Sequence, residues 1–176
     1  MFNKALTIVA AIFVATAVMA VQAEPMKPST VGEALIPNND KTFFENAASA
    51  GMFEVEAGKL AAARGTDPKI KQFGEMMVKD HTKANEELKA LAAKKNVTLP
   101  AELARRHQFM LDEIKDEKDG KEFDQAFKRA MVVSHKEAVT LFSNTAKHSK
   151  DPDVKAFATK TLPALEQHGG EAKNLP

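Results

Sequence analysis

The chain has 176 residues, 28% of them charged, with 25 Lys and Arg facing 24 Asp and Glu and no cysteine at all. A balance this close to neutral supplies no basic footprint of the kind that nucleic acid or an anionic membrane surface requires, so nucleic acid is not an expected partner. The lack of cysteine excludes disulfides, thiol catalysis and zinc–thiolate sites, which leaves His, carboxylate and Met as metal ligands.

Lys4, the apolar run from Ala5 to Val21 and the small-residue pattern Val21-Gln22-Ala23 read as a signal peptide over residues 1–23. Export to the periplasm or cell envelope follows. An uncleaved anchor is the competing reading, because a run of about 17 apolar residues lies at the lower limit for spanning a bilayer. Residues 24–39 carry Pro25, Pro28, Pro37, Ser29, Thr30 and Gly32, a composition that resists regular structure and predicts a flexible arm. What remains suits one domain with a sizeable core.

From Asp40 onward the helix punctuation is regular. Helix A is predicted from about Lys41 to Arg64, with Asn39 or Asp40 as its cap and Gly65 as its stop. Helix B opens at Asp67-Pro68, where Asp accepts free amide protons and Pro fits the first helical position, and ends before Asn96. A short helix is expected over Glu102 to Lys115. Asp119-Gly120 breaks the chain, helix C follows from about Lys121 to His148, and helix D starts at a second Asp-Pro cap, Asp151-Pro152, closing at Gly169-Gly170. Pro163 removes one helical hydrogen bond and predicts a kink in helix D. No segment alternates with the period of a strand. The expected fold is all-α: a four-helix bundle over residues 40–170 with an additional short helix in the B to C connection, then a C-terminal tail over residues 171–176.

Helical periodicity places one polar residue on the apolar stripe of each long helix. Glu54 shares its face with Phe43, Ala47, Gly51, Ala57, Gly58 and Ala61, while Glu45, Glu56 and Lys59 point away. His81 lines up with Met77, Val78, Ala84 and Leu88, His135 with Met131, Ala138 and Phe142, and His168 with Phe157, Thr161, Ala164 and Leu165. Depth is a second test. At about 1.5 Å rise per residue, Glu54 and His81 lie roughly 18 and 22 Å from the turn joining A and B, and His135 and His168 roughly 22 and 27 Å from the turn joining C and D. All four therefore point inward at nearly one level.

A charged carboxylate in an apolar core costs several kcal/mol unless a cation or hydrogen-bond donors compensate it. One carboxylate and three neutral imidazoles can bind zinc, copper or iron, so Glu54, His81, His135 and His168 are the candidate ligands of one transition-metal ion. A di-iron centre fits less well, since it uses Glu-x-x-His pairs and Val78 and Leu165 stand three residues before His81 and His168. The competing reading is a metal-free structural or protein-interaction module of the envelope, in which the same cluster fixes helix register. A peripheral membrane contact would need an exposed apolar face. His107 and His148 read as peripheral and exposed, the methionines as core filler, and Lys128 as a partner of Asp124. No Ser-His-acid set, phosphate loop or nucleotide fingerprint is present, and whether the chain is an enzyme depends on an open position at the metal.

The strings Met77-Val78-Lys79-Asp80-His81-Thr82-Lys83-Ala84-Asn85, Glu122-Phe123-Asp124, Ser134-His135-Lys136 and Leu162-Pro163-Ala164-Leu165-Glu166-Gln167-His168, together with Phe53-Glu54-Val55-Glu56, resemble the exported bacterial family called domain of unknown function 4142. The resemblance implies a ferritin-like helical bundle, sometimes labelled a membrane or outer-membrane protein, and carries no established common activity. Ser134 departs from it, since the family often shows Asp before the second His.

Overall fold

The computed structural model describes residues 40–176. The expected signal peptide and flexible arm lie outside the described residues. Five helices follow in order: α1 (Asp40–Arg64), α2 (Pro68–Lys94), α3 (Arg105–Asp116), α4 (Lys121–His148) and α5 (Pro152–Lys173). There is no strand among the described residues.

Local chemistry sets most of the boundaries. Asp67 caps α2 by accepting the Lys69 amide at 2.8 Å, and Asp151 caps α5 by accepting the amides of Asp153 and Val154. Pro follows at the first helical position in both. At the far end of α2, Asn96 takes φ 55°, Val97 N–H bonds to Ala92 O at 2.9 Å and Asn96 N–H to Ala93 O at 3.2 Å. This is a left-handed C-terminal cap that satisfies two carbonyls the helix would otherwise leave open. Gly120, at φ 121°, supplies the turn into α4 that a side chain would strain.

The ends of the helices define the topology. Lys94 and Lys95 pair with Asp153 and Asp151, and Ser149 Oγ donates to Asp40, so α2 and α4 both finish at the end where α1 and α5 begin. At the opposite end, Asp124 near the start of α4 accepts the amides of Thr66 and Asp67 from the α1–α2 turn. The connection from α2 to α4 therefore traverses the whole length of the bundle, with α3 climbing across the seam between α1 and α4. Arg64 fixes its upper end by bonding to Asp119 Oδ1, Lys115 O and Glu117 O and lies 4.5 Å from the centroid of the Phe123 ring. One such long crossover sets this bundle apart from up-down-up-down ones.

Two apolar clusters fill the interior. One contains Phe53, Met77, Phe127, Met131 and Ala172; the other contains Phe43, Leu88, Ala138, Phe142 and Leu165. His81, His135 and His168 stand between the two in sequence on α2, α4 and α5, Glu54 follows Phe53 directly on α1, and all four are buried. A polar layer thus divides the core.

Several details differ from the sequence-based expectation. Helix α5 runs through Gly169-Gly170 to Lys173, because Ala172 and Leu175 are buried and their burial outweighs the helix-breaking tendency of the glycine pair. Residues 171–175 thus belong to the packed domain rather than to a tail. Helix α3 starts at Arg105 instead of Glu102, since Ser49 Oγ captures the Ala104 amide at 2.8 Å just before it. Lys128 donates to Leu175 O instead of pairing with Asp124, whose oxygens are taken by Thr66 and Asp67.

Candidate metal centre

Each of the four long helices delivers one residue to the polar layer. Close approach of α1 and α2 is made by glycine: a Cβ on Gly74 would stand 2.7 Å from Gly58 O and 2.9 Å from Ala62 N. That contact brings Glu54 and His81 together, with His81 Nδ1 2.9 Å from Glu54 Oε2. Gly169 does the same for the second hairpin, where a Cβ would lie 3.3 Å from His135 Cβ. The rings of His81, His135 and His168 then sit with centroids 5.4–5.6 Å apart.

Hydrogen bonds fix the protonation pattern of the three rings. His81 Nδ1 faces the Glu54 carboxylate, His135 Nδ1 faces Met131 O at 2.9 Å, and His168 Nε2 faces Asp80 Oδ2 at 3.2 Å. A carbonyl or carboxylate only accepts, so each of these nitrogens carries the proton. In the neutral ring the other nitrogen holds a bare lone pair. Those others, His81 Nε2, His135 Nε2 and His168 Nδ1, are buried without a hydrogen-bond partner among the described residues. One ring nitrogen from each His lies within 4.8 Å of the other two. Ligating imidazoles generally pass their second N–H to a carboxylate or backbone carbonyl in this way.

Glu54 is 1% exposed. Its Oε2 meets His81, its Oε1 accepts the Ser134 hydroxyl at 2.7 Å, and His135 Nδ1 lies at 3.7 Å from Oε1. Burial opposes its charge, but His81 and His135, with hydrogen bonds from His81 and Ser134, outweigh that and hold the carboxyl down at about 2. Burial likewise opposes charge on His81, yet the Glu54 carboxylate reverses the balance and raises its pKa. His135 and His168 are lowered, first by burial and then by the neighbouring imidazoles, against the pull of Glu54 on the one and Asp80 on the other. The site thus combines one ionised carboxylate with two rings kept neutral.

The structure brings all four sequence-predicted residues to one place. The three His each bring one ring nitrogen within 4.8 Å of the others, while both Glu54 oxygens are engaged by His81 and Ser134. Asp80 and Ser134, the partners of His168 and Glu54, were not among the candidates from sequence. Each immediately precedes a site His in the chain, and that adjacency is the only signal they gave. His107 departs from its expected exposure. It is buried, bonded through Nδ1 to Ser49 Oγ at 2.7 Å and stacked on Phe53 with centroids 5.7 Å apart. His148 is exposed, as expected.

Residues 25–175 match the family described as domain of unknown function (DUF4142). The chain belongs to that family. No curated protein matches it. Among solved structures, this DUF4142 chain is similar to CopM in its Cu(II)-bound form, with TM-score 0.65 and 19% identity over 77% of this chain and 93% of that one. CopM in Cu(I)-bound and Ag-bound forms is similar too. A DUF305 fragment from Deinococcus radiodurans gives TM-score 0.67 and 9% identity over 78% of this chain and 96% of that one. A conserved hypothetical protein from Mycobacterium tuberculosis gives 0.61 and 14% over the same shares. At these identities the likeness shows the helical fold alone. No helix among the described residues is long and apolar enough to cross a membrane.

Proposed function

We propose that this protein is an exported binder of a single transition-metal ion, held by His81 Nε2, His135 Nε2 and His168 Nδ1 at the centre of the bundle. What carries this reading is that each of three clustered His, with one ring nitrogen apiece within 4.8 Å of the others, also keeps one buried ring nitrogen unpaired. Leaving a buried polar atom unsatisfied costs about 1–3 kcal/mol each, and an ion removes that cost at all three together. A metal-free structural role leaves it in place. Glu54, Asp80 and Met131 O hold the rings in orientation rather than joining the ion, and Glu54 supplies the negative charge that offsets it.

Imidazole nitrogen suits copper, zinc and iron. Copper ranks first, because the CopM structures of the same fold hold Cu(II), Cu(I) and Ag and because divalent copper leads the affinity order at nitrogen sites. Three protein ligands leave a further position free, as catalytic sites do. Among the described residues the Ser134 hydroxyl and the His81 N–H are both committed to Glu54, and buffering or protection against metal stress fits the site better than turnover.

The test is elemental analysis of protein purified from its native compartment without an affinity tag, beside a variant with His81→Ala and His135→Ala. Near-stoichiometric metal lost in the double variant supports the site and names the ion. Metal-free protein that also fails to take up added copper, zinc or iron overturns it.

A further inference from the structure

The polar layer is buried, so an ion needs a way in, and the packing singles out one residue on that way. A groove of about 1000 Å³ runs between α1, α2 and α3, lined among others by Met52, Thr82, Asn85 and Glu86. A second, much smaller and only partly open cavity of about 20 Å³ lies deeper, against Glu54 and His81, walled by Gly51, Ala84, Leu88 and Asn85. Asn85 belongs to both linings. Groove and inner cavity meet at its side chain.

That side chain rests in a notch made by glycine. A Cβ on Gly51 would lie 1.9 Å from Asn85 Oδ1 and 2.8 Å from Asn85 Cγ, so any larger residue at 51 would push the amide out. The amide makes no hydrogen bond to another described residue, although Thr161 on the same cavity wall bonds to Phe157 O. It is held by packing alone. The inner cavity is large enough for about one water molecule, which is the scale of a partly dehydrated ion.

We propose that Asn85 is the gate between the surface groove and the His site, and that rotation of its amide out of the Gly51 notch admits the ion to His81. This rests on the metal-binding reading above. An opening residue changes the rates of binding and release together and leaves affinity unchanged, because Asn85 makes no hydrogen bond to Glu54 or to any of the three His.

Two variants test it in opposite directions. Asn85→Ala removes the gate, and Asn85→Leu replaces the unbonded amide by an apolar plug that fits its surroundings. Stopped-flow mixing of the purified protein with Cu(II) is expected to show association and dissociation about tenfold faster for Asn85→Ala, the change for a barrier lowered by about 1.4 kcal/mol, and slower for Asn85→Leu, at unchanged stoichiometry and Kd. A metal-independent readout accompanies it: deuterium exchange at the His81 ring carbon between the two nitrogens, followed by mass spectrometry of the metal-free protein, is expected to speed up and slow down in the same order. Rates and exchange unmoved in both variants overturn the gate. If the unaltered protein takes up no Cu(II), the metal reading fails, and the exchange experiment still decides whether Asn85 controls access to His81.

Discussion

Ser134 on α4 donates a 2.7 Å hydrogen bond to Glu54 on α1, the carboxylate whose other oxygen meets His81 on α2. One buried acid thereby ties three of the four long helices to the polar layer. Removing part of that tie has graded consequences. Ser134→Ala takes away one hydrogen bond to a charged group and is expected to destabilise the metal-free protein by about 1.5–3 kcal/mol. Glu54→Gln removes the charge that orients His81 and is expected to weaken metal binding by about 10–100-fold. Urea unfolding reads the first and metal titration the second. A Glu54→Gln protein with undiminished affinity would show that the carboxylate plays no part in holding the rings.

Acid acts on the same groups, and the sign follows from the direction of each shift. Burial is outweighed by His81, His135 and Ser134, which hold Glu54 down at about 2 in the folded chain against 4.5 for a free glutamate side chain; its contribution is present above the unfolded value and is lost as pH falls from 4.5 towards 2. That contribution is on the order of 3 kcal/mol. His135, His168 and His107 are all lowered, burial being the first cause in each, so below about pH 6.5 the unfolded chain takes up protons that these rings refuse. His81 is raised by Glu54 and runs the other way, stabilising at low pH and losing that contribution as pH rises through its folded value. Three rings against one decide the outcome. Melting temperature of the metal-free protein is expected to fall from pH 7.5 to pH 5.5 and to drop further below pH 4.5. A flat profile across both windows would contradict the burial of these groups.

Metal should register as stability. An ion bound only by the folded chain at a free concentration of 100 times Kd adds about 2.7 kcal/mol, which for a domain of this size raises Tm by roughly 5–15 °C. Cu(II) is expected to produce that rise in the unaltered protein and none in His135→Ala, whose ring is wholly buried in the layer. Differential scanning calorimetry with and without chelator checks it. A rise that survives His135→Ala would place the binding elsewhere.

Much of this layout was legible in the residues, and the parts that were not share a physical cause. Asp67-Pro68 and Asp151-Pro152 announce helix starts because capping is local chemistry, settled within three residues. Glu54 and the three His could be found because a stripe has a fixed period and depth can be counted from a turn. Asp80 and Ser134 could not, since each sits about 100° around the helix from the stripe, where the rotation of one helix against its neighbour decides between solvent and site. His107 was missed for the same reason. It lies on a short helix whose inward face depends on which seam the crossover covers, and its contacts with Ser49 and Phe53 on α1, with Arg106 paired to Glu137 on α4, show that seam to be α1–α4. The glycine pair at 169–170 misled because a local stop signal yields when residues beyond it have a core to enter.

The closest approach of the backbones gives the sharpest mutational expectation. On Gly74 a Cβ would meet Gly58 O at 2.7 Å, Ala61 Cβ at 2.8 Å and Ala62 N at 2.9 Å, and on Gly58 it would meet Gly74 O at 2.7 Å. Backbone atoms of two packed helices have nowhere to rotate, so Gly74→Ala must push α1 and α2 apart. Intrinsic helix propensity favours Ala over Gly by about 1 kcal/mol, whereas overpacking a close contact costs typically 1–3 kcal/mol; with two backbone clashes the second effect wins. Gly170→Ala is the control, because no atom lies within 4 Å of the added methyl and the residue is helical, so it is expected to stabilise. Gly74→Ala is expected to lower both Tm and metal affinity, since the spread separates Glu54 from His81, while Gly170→Ala raises Tm and leaves affinity alone. Equal behaviour of the two variants would mean that glycine at the α1–α2 contact does not set the geometry of the centre.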